Sequence, residues 1–347
     1  MTDRWPQDVG GWRRRPLTAL LALLLTALAA SCSGTGQPAS RLEPVKFCTD
    51  WPTPWTEWVV WEYAQESGLF QRHGIRVNIQ KPVMPQEALK MVATGWCDVG
   101  YGYMLDMLRE RERFGAPIKA VGSLFPENRW GVAWYADPAR PGKAGLAGRD
   151  IAVYNLTTDQ TLWRYWLQVK GVTMGEVHGV EGSIFSTEPL FKGAVTAIGA
   201  WEDAEMPLMQ VRAPEAQVLF EPAMDDVSRQ PYLTLLVTNE SFTRRYPGLL
   251  RSFLLALNQS LDQCRHNPEA ALALFLGRHP EFDQETREWF VQAWAGMAKS
   301  THPRGGINPY RWRTSLETLV KAGVIPGSYL AEGAYTNAFV PVEEGGD

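Results

Sequence analysis

EWVVWEYAQESGLFQRHGIRVNIQ, residues 57–80, is the stretch of sequence that decides the fold. Its first part, Glu57–Ser67, has the apolar spacing of a helix, and Gly68 follows where such a helix ends. The pattern of Ile75–Gln80 then predicts a strand. A helix that ends at a glycine and leads into a strand is a unit from which α/β folds are built.

The alternation of strands and helices continues on both sides of this stretch. Further strands are predicted at Val45–Thr49, Asp98–Tyr101, Ile118–Leu124 and Val132–Tyr135, and further helices at Gln86–Thr94 and Met104–Arg113. This order predicts a largely parallel sheet with helices on its faces.

A second α/β unit follows a segment, Ala136–Gly148, whose density of proline and glycine predicts a linker or hinge. This unit has predicted strands at Asp150–Tyr154, Ala194–Gly199 and Ala216–Phe220 and a predicted helix at Thr158–Val169. The strand predicted at Tyr232–Thr238 could return to the first unit, and helices are predicted after it at Leu249–Cys264 and Glu269–Leu276. We therefore predict two lobes. Residues 44–135 and 232–347 form lobe 1, which carries the C-terminal helices, and residues 136–231 form lobe 2.

The N-terminus has the pattern of an export signal. Arg13–Arg15 precede the apolar run Leu17–Ala30, which is shorter than the roughly 20 residues that span a bilayer. Ala29-Ala30-Ser31-Cys32 then resembles a bacterial lipobox, which implies that Cys32 is lipidated. We expect residues 1–31 to be a lipoprotein signal peptide and residues 32–43 a flexible tether, so that the protein is extracytoplasmic and anchored to a membrane. An ordinary signal peptide with a chance cysteine is the alternative.

Charge and side-chain chemistry exclude several classes of function. The net charge of −4 does not provide the basic surface that nucleic acid requires. The cysteines after Cys32 are Cys48, Cys97 and Cys264, an odd number whose spacing fits no zinc pattern, so at least one is free or none is paired. The histidines are scattered. We expect neither a metal nor a cofactor.

Aromatic and polar side chains follow several predicted strands, where open α/β sheets bind their ligands. The predicted ligand-binding residues are Asp50, Trp51, Trp55, Tyr101, Tyr103, Asn155, Thr157, Thr158, Trp201, Glu202 and Glu205. Aromatic faces beside carboxylates suit a flat, neutral or weakly cationic heterocycle. Core packing is the alternative for the aromatic residues. The turn at residues 155–158 either caps a helix or receives an anion through its free N–H groups.

Several motifs in order resemble the periplasmic binding proteins of the thiamine-precursor, sulfonate and nitrate type. They are Asp50-Trp51-Pro52, Ala64–Phe70 with His73–Val77, Ala88–Gly95 with Cys97–Tyr101, Ala116–Val121 and Leu146–Val153. The resemblance covers roughly residues 44–340. It implies a two-lobed α/β clamp with the ligand in the cleft, and as partners an ATP-binding-cassette (ABC) permease and its ATPase. We expect a monomer that binds a small molecule and is not an enzyme.

Two places resemble the thiamine-pyrimidine branch of that family. One is Asp50-Trp51, and the other is Ala194–Glu202, in which a strand ends in Trp201 and a polar residue. The branch often carries a carboxylate three residues after this tryptophan, whereas this chain has Ala204 there and Glu205 one place later. The implied ligand is a thiamine-precursor pyrimidine, with a flavin or another aromatic ring next.

Three further alternatives stay open at this point. Arg129 and the turn at residues 155–158 would suit a sulfonate, nitrate or another anion. An exported sensor or adhesion module with the same clamp is the second. An enzyme on the same fold, similar to a pyrimidine synthase or a menaquinone-pathway lyase, is the third. The synthase relatives carry a cysteine-rich motif, and this chain has no cysteine cluster.

Overall fold

A computed structural model of the chain describes residues 41–136, 146–181, 187–300, 305–330 and 332–341. The predicted signal peptide, the predicted lipidation site Cys32 and the predicted tether up to residue 40 lie outside these ranges. So does the middle of the predicted hinge, residues 137–145. Within the described ranges, no helix combines the length and the apolar character needed to cross a membrane.

The first sheet has five strands in the spatial order β2-β1-β3-β10-β4. They are β1 (Glu43–Cys48), β2 (Ile75–Gln80), β3 (Val99–Gly102), β4 (Ile118–Gly122) and β10 (Leu235–Asn239). β1 is parallel to β2 and β3, whereas β10 runs antiparallel between β3 and β4. Since β1 and β3 are parallel neighbours, the segments that follow them leave the sheet at the same edge.

The second sheet repeats this plan with the order β7-β6-β8-β5-β9. Its strands are β5 (Trp130–Tyr135), β6 (Asp150–Val153), β7 (His178–Glu181), β8 (Ala197–Trp201) and β9 (Val218–Pro222). β6 is parallel to β7 and β8, and β5 runs antiparallel between β8 and β9. The predicted two-lobed α/β clamp, with a mostly parallel sheet in each lobe, is confirmed.

Strand β5 corrects the predicted boundary between the lobes. Residues up to 135 are predicted from the sequence to lie in lobe 1, but β5 pairs with β8 and β9 of the second sheet. The chain therefore crosses between the sheets at residues 123–129, before the proline- and glycine-rich segment, and returns at residues 223–234. Strand β7 was not predicted, because all four of its residues are exposed and lack an apolar pattern.

Helices cover the faces of both sheets and fill the C-terminal part of the chain. They are α1 (Trp58–Glu66), α2 (Leu69–Arg72), α3 (Pro85–Ala93), α4 (Met104–Phe114), α5 (Thr157–Val169), α6 (Glu188–Phe191), α7 (Glu205–Arg212), α8 (Glu240–Arg245), α9 (Pro247–His266), α10 (Pro268–Arg278), α11 (Gln284–Ser300) and α12 (Pro309–Lys321). Gly115 ends α4 with a φ of 62°, a left-handed conformation that glycine adopts without steric cost.

Two tryptophan pairs, one on a helix of each lobe, are buried. Trp58 and Trp61 on α1 are 1% and 5% exposed, and Trp163 and Trp166 on α5 are 0% and 1% exposed. Because each pair is three residues apart on its helix, both rings face the same side and pack against a sheet. These side chains form part of one large cluster of buried apolar residues.

The C-terminal helices contact both lobes. Ser260 on α9 donates a hydrogen bond to the Val60 carbonyl on α1, in the first lobe. On α11, the Trp289 indole N–H donates to the Ala204 carbonyl, 2.9 Å away, beside the end of β8. The C-terminal block therefore packs on the first lobe and also reaches the second sheet.

A disulfide joins Cys48 to Cys97, with their Cα atoms 5.9 Å apart. Cys48 ends β1, and Cys97 lies two residues before β3, so the bond fastens two neighbouring parallel strands. Cys264 is free and buried on α9, where burial raises the pKa of its thiol to about 12. The odd cysteine of the sequence is thus this helical one.

Candidate functional site between the two sheets

Aromatic rings from both sheets meet between them. Tyr103 follows β3 and Trp201 ends β8, and their ring centroids are 6.1 Å apart. Tyr154 follows β6 and lies 6.0 Å from the same tryptophan ring. Trp201 is only 7% exposed and Tyr103 only 5%. The three rings, which we call the aromatic cluster, therefore form an enclosed surface at the ends of strands from both sheets.

A pair of buried carboxyl groups borders the aromatic cluster on the first-lobe side. Asp50, just after β1, accepts a hydrogen bond from the Tyr103 hydroxyl at 3.1 Å. The side chain of Glu57, in the turn before α1, lies against Asp50. Burial raises the pKa of Asp50 to about 6, while burial and the charge of Asp50 raise the pKa of Glu57 well above its ordinary value. Burial and the nearness of the two groups therefore favour the protonated form of Glu57 over two adjacent charges.

Two more acids border the cluster on the second-lobe side. Glu205 accepts a hydrogen bond from the Trp201 backbone N–H at 2.8 Å, and burial raises its pKa to about 8. Both carboxylate oxygens of Asp203 are buried without a hydrogen-bond partner in the described part of the chain. Burial raises the pKa of Asp203 to about 7, and Asn128, beside it but outside hydrogen-bonding geometry, offsets this only in part. A buried carboxylate without partners is costly, so Asp203 is suited to receive a ligand's donor groups.

Asp159 holds one member of the aromatic cluster, Tyr154, in place. It accepts hydrogen bonds from the Tyr154 backbone N–H at 2.7 Å and from the Trp130 indole N–H at 2.9 Å. Burial raises its pKa to about 8. Gly199 on β8 permits this arrangement, because a Cβ there would lie 2.4 Å from an Asp159 oxygen. Asp159 thus positions Tyr154 and is fully occupied by the protein itself.

The remaining predicted aromatic residues differ in their surroundings. The rings of Trp51 and Trp55 lie 6.0 Å apart, and Trp55 also packs on Trp289 of α11 at 4.7 Å. Tyr101 is 0% exposed and packs edge-on against Phe47, 5.1 Å away, although its hydroxyl has no hydrogen-bond partner among the described residues. Trp51 and Trp55 therefore pack on each other and on α11, whereas Tyr101 lies in the core of the first lobe.

The backbone N–H groups of the turn before α5 are used within the protein, and ligand contact by Asn155, Thr157 and Thr158 stays a prediction. The backbone N–H groups of Thr157 and Thr158 donate to the carboxylate of Asp106 on α4, at 2.8 and 3.0 Å. The Asn155 carbonyl accepts from the Gln86 side chain. The N-terminus of α5 is thus capped by an acid from the other lobe, distant in sequence, and not by a side chain of the turn itself.

Glu202 is paired with a neighbouring side chain. Its carboxylate forms a two-pronged ion pair with Arg129, in which the Arg129 Nε–H donates at 2.6 Å. Arg129, the cation that favoured an anionic ligand, is therefore paired with an acid in this structure. Their partnership was not visible in the sequence because the two residues are 73 positions apart.

The structure thus brings together some of the predicted residues and adds others. Tyr103 and Trp201 belong to the aromatic cluster, and Asp50 and Glu205 border it. Glu57 and Asp203 complete the acidic lining, and Glu57 was not singled out from the sequence. A cavity of about 370 Å³ adjoins the cluster at Tyr154 and Asn155. Across the described ranges, no group of three or more histidine, cysteine or acidic side chains could hold a metal ion.

Comparison with known protein families gives one match that spans most of the chain. The model of the family described as NMT1/THI5 like matches residues 56–271. The formylaminopyrimidine-binding protein of Halalkalibacterium halodurans is 22% identical over 92% of this chain and 98% of its own length. The 4-amino-5-hydroxymethyl-2-methylpyrimidine phosphate synthase of Uromyces fabae is 23% identical over 82% of this chain and 85% of its own length.

Comparison with solved structures agrees on the fold. The alkanesulfonate-binding protein of Xanthomonas axonopodis pv. citri, bound to MOPS, superposes with a TM-score of 0.66. The two share 14% sequence identity, and the match covers 87% of this chain and 99% of that protein. This similarity supports the two-lobed clamp.

Proposed function

The chain belongs to the NMT1/THI5-like family, and from this premise we propose that it is a solute-binding protein for a pyrimidine-like nitrogen heterocycle. The observation that carries the proposal is the aromatic cluster with its acidic lining. Trp201 lies between Tyr103 of one lobe and Tyr154 of the other, and the unpartnered carboxylate of Asp203 lies two residues further along the chain.

The chemistry of a small amino-heterocycle fits this lining. A flat ring stacked on an aromatic side chain gains about 1–3 kcal/mol, by analogy with nucleic-acid bases. Ring amino groups are donors, and Asp203 supplies buried acceptor oxygens. Two such contacts and a few hydrogen bonds reach the roughly 8 kcal/mol of a micromolar site. The formylaminopyrimidine-binding relative, similar along 92% of this chain, supports the same ligand class.

Binding at this enclosed site requires the lobes to open, and we propose that residues 123–129 and 223–234 act as the hinges. These two crossings contact each other where the Ser123 hydroxyl donates to the Thr234 carbonyl at 2.8 Å. Arg311 on α12 fastens both, since its guanidinium donates to the Pro126 carbonyl and, at 3.1 Å, to the Gln230 carbonyl. A ligand that contacts both lobes favours the closed form.

We further propose that the protein works outside the cytoplasmic membrane, held there through Cys32, and delivers its ligand to an ABC permease and its ATPase. The basic residues Arg13–Arg15, the short apolar run and the lipobox-like end support export and lipidation. The clamp fold, shared with the ligand-binding component of an ABC-type import system from Staphylococcus aureus at a TM-score of 0.60, supports delivery to a transporter. A monomer is sufficient for this role.

Catalysis is the second candidate, because fungal pyrimidine phosphate synthases are among the relatives. The synthases carry a cysteine-rich motif, so the cysteines of this chain are the residues to compare. Cys48 and Cys97 are joined to each other, and Cys264 is buried on α9. We therefore favour binding over synthesis.

Mass spectrometry of small molecules retained on the natively purified protein tests the proposal. We expect a pyrimidine or another flat nitrogen heterocycle to be released in unchanged form on denaturation. Recovery of a sulfonate instead would overturn the ligand class, and turnover of added substrate into a phosphorylated pyrimidine would overturn the binding role.

A further inference from the structure

Asp106 joins the two lobes at the edge of the candidate site. It lies in the first turn of α4 in the first lobe, and its carboxylate accepts from the first turn of α5 in the second lobe. The Thr157 N–H, the Thr158 N–H and the Thr158 hydroxyl donate to it at 2.8, 3.0 and 2.6 Å. Asp106 is 7% exposed and Thr158 is 0% exposed, so solvent does not compete for these bonds.

The N-terminus of a helix is a ready site for an anion, because its N–H groups lack partners and the helix dipole is positive there. In α5, which has 13 residues, the anion is already supplied by the protein. The Asp106 carboxylate uses two N–H groups and the adjacent hydroxyl, as a bound sulfonate or phosphate would. Its own negative charge then repels a second anion.

This occupied helix end adjoins the aromatic cluster. Tyr154 lies directly before the turn, and Tyr103 caps α4 three residues before Asp106. Asp106 also lies close enough to Tyr103 to affect its hydroxyl. Burial is the main cause that raises the pKa of Tyr103, and the charge of Asp106 adds to it. An anionic group on a ligand stacked against Trp201 would therefore meet a carboxylate at this end.

We propose that Asp106 determines ligand specificity by excluding anionic ligands from the cleft, so that the site admits neutral or cationic heterocycles. This inference rests on the proposed function, since it assumes that the cleft between the sheets is the ligand site. It also explains how a clamp with the fold of an alkanesulfonate-binding protein takes another class of ligand.

The neighbouring side chains are suited to an anion once Asp106 is removed. The Arg109 guanidinium, one turn further along α4, donates to the Thr157 hydroxyl at 2.9 Å and forms no ion pair within the described residues. A small anion in place of the carboxylate would thus gain the two N–H groups, the Thr158 hydroxyl and a nearby cation. Asp106→Ala is therefore expected to create an anion site rather than only to remove a contact.

The test is calorimetric titration of wild type and Asp106→Ala with inorganic sulfate. We expect no saturable binding by wild type and saturable binding by Asp106→Ala, at least on the order of tenfold tighter than any wild-type signal. Asp106→Asn removes the charge but keeps the shape, and is expected to show intermediate binding. It also serves as the test if the alanine variant does not fold.

Asp283→Ala is the matched control, because Asp283 accepts from the Thr286 N–H at 2.8 Å at the start of α11, on the surface. It is expected to gain no sulfate binding. Equal sulfate binding by the Asp106 and Asp283 variants, or no gain in either folded Asp106 variant, would overturn the proposal. Since sulfate is the probe, these outcomes do not depend on whether wild type binds a pyrimidine.

Discussion

The ring of Tyr103, in the first lobe, lies 6.1 Å from the ring of Trp201, in the second lobe. The two residues are brought together by equivalent positions in two sheets of the same plan, each at the end of a strand in the parallel part of its sheet. A ligand between these rings contacts both lobes, and this is the condition under which binding closes a clamp. The site and the motion are therefore properties of one architecture.

The buried acids make the stability of the protein depend on pH. Burial raises the pKa of Asp203 to about 7 and that of Glu205 to about 8, above the ordinary values of 3.8 and 4.5. The folded state thus binds more protons than the unfolded state in this range, so the free energy of unfolding falls as pH rises from about 4 to 8. Asp203→Asn is expected to reduce that fall by up to about 1.4 kcal/mol per pH unit.

Chemical denaturation between pH 5 and 8 measures this effect. Asp226→Asn is the control, because Asp226 is exposed and its hydrogen bond from Ser228 lowers its pKa. An Asp203→Asn variant with the same pH slope as wild type would show that Asp203 is already ionised in the folded protein.

Reduction of the disulfide is expected to destabilise the first lobe. Cys48 and Cys97 are 49 positions apart, and closing a loop of that size stabilises a fold by about 4 kcal/mol in the chain-entropy model. Urea unfolding of Cys48→Ser with Cys97→Ser, compared with Cys264→Ser, measures this. Equal losses in the double variant and in the Cys264 variant would contradict a specific role for the disulfide.

Arg311 is expected to hold the hinge crossings together. It is 6% exposed, and its guanidinium also lies over the Tyr232 ring, 4.4 Å from the centroid. Arg311→Met leaves buried carbonyl groups without donors, each at a cost of about 1–3 kcal/mol. Urea unfolding should show this loss, and small-angle scattering should show a wider spread of lobe positions. Arg313→Met, on the exposed side of the same helix, is the control and should change neither measurement.

Cys32→Ala is expected to release the protein from membranes. Acyl chains contribute about 0.8 kcal/mol for each buried methylene group, so removal of the only proposed anchor should shift the protein to the soluble fraction. Labelling of cells with a fatty-acid analogue measures the modification directly. Absence of label on the wild-type protein would rule out the lipoprotein hypothesis.

The sequence predicted the periodic parts of this molecule well and the tertiary pairings poorly. Ile75–Gln80 is a strand with the predicted bounds, because its pattern and flanking glycine are local signals. The side chains of Glu57 and Asp106 had no such signal, since an acid near a helix start is usually explained by the helix itself. Their partners, Asp50 and Thr158, are neighbours only after folding.

Calorimetric titration with formylaminopyrimidine tests the central claim most directly, using wild type, Trp201→Ala and Trp96→Ala. Trp96 is a matched control, since it is 58% exposed outside the site. We expect saturable binding by wild type, a loss of about 1–3 kcal/mol in Trp201→Ala and no change in Trp96→Ala. Absence of heterocycle binding, with tight binding of a non-aromatic sulfonate that Trp201→Ala leaves unaffected, would contradict it.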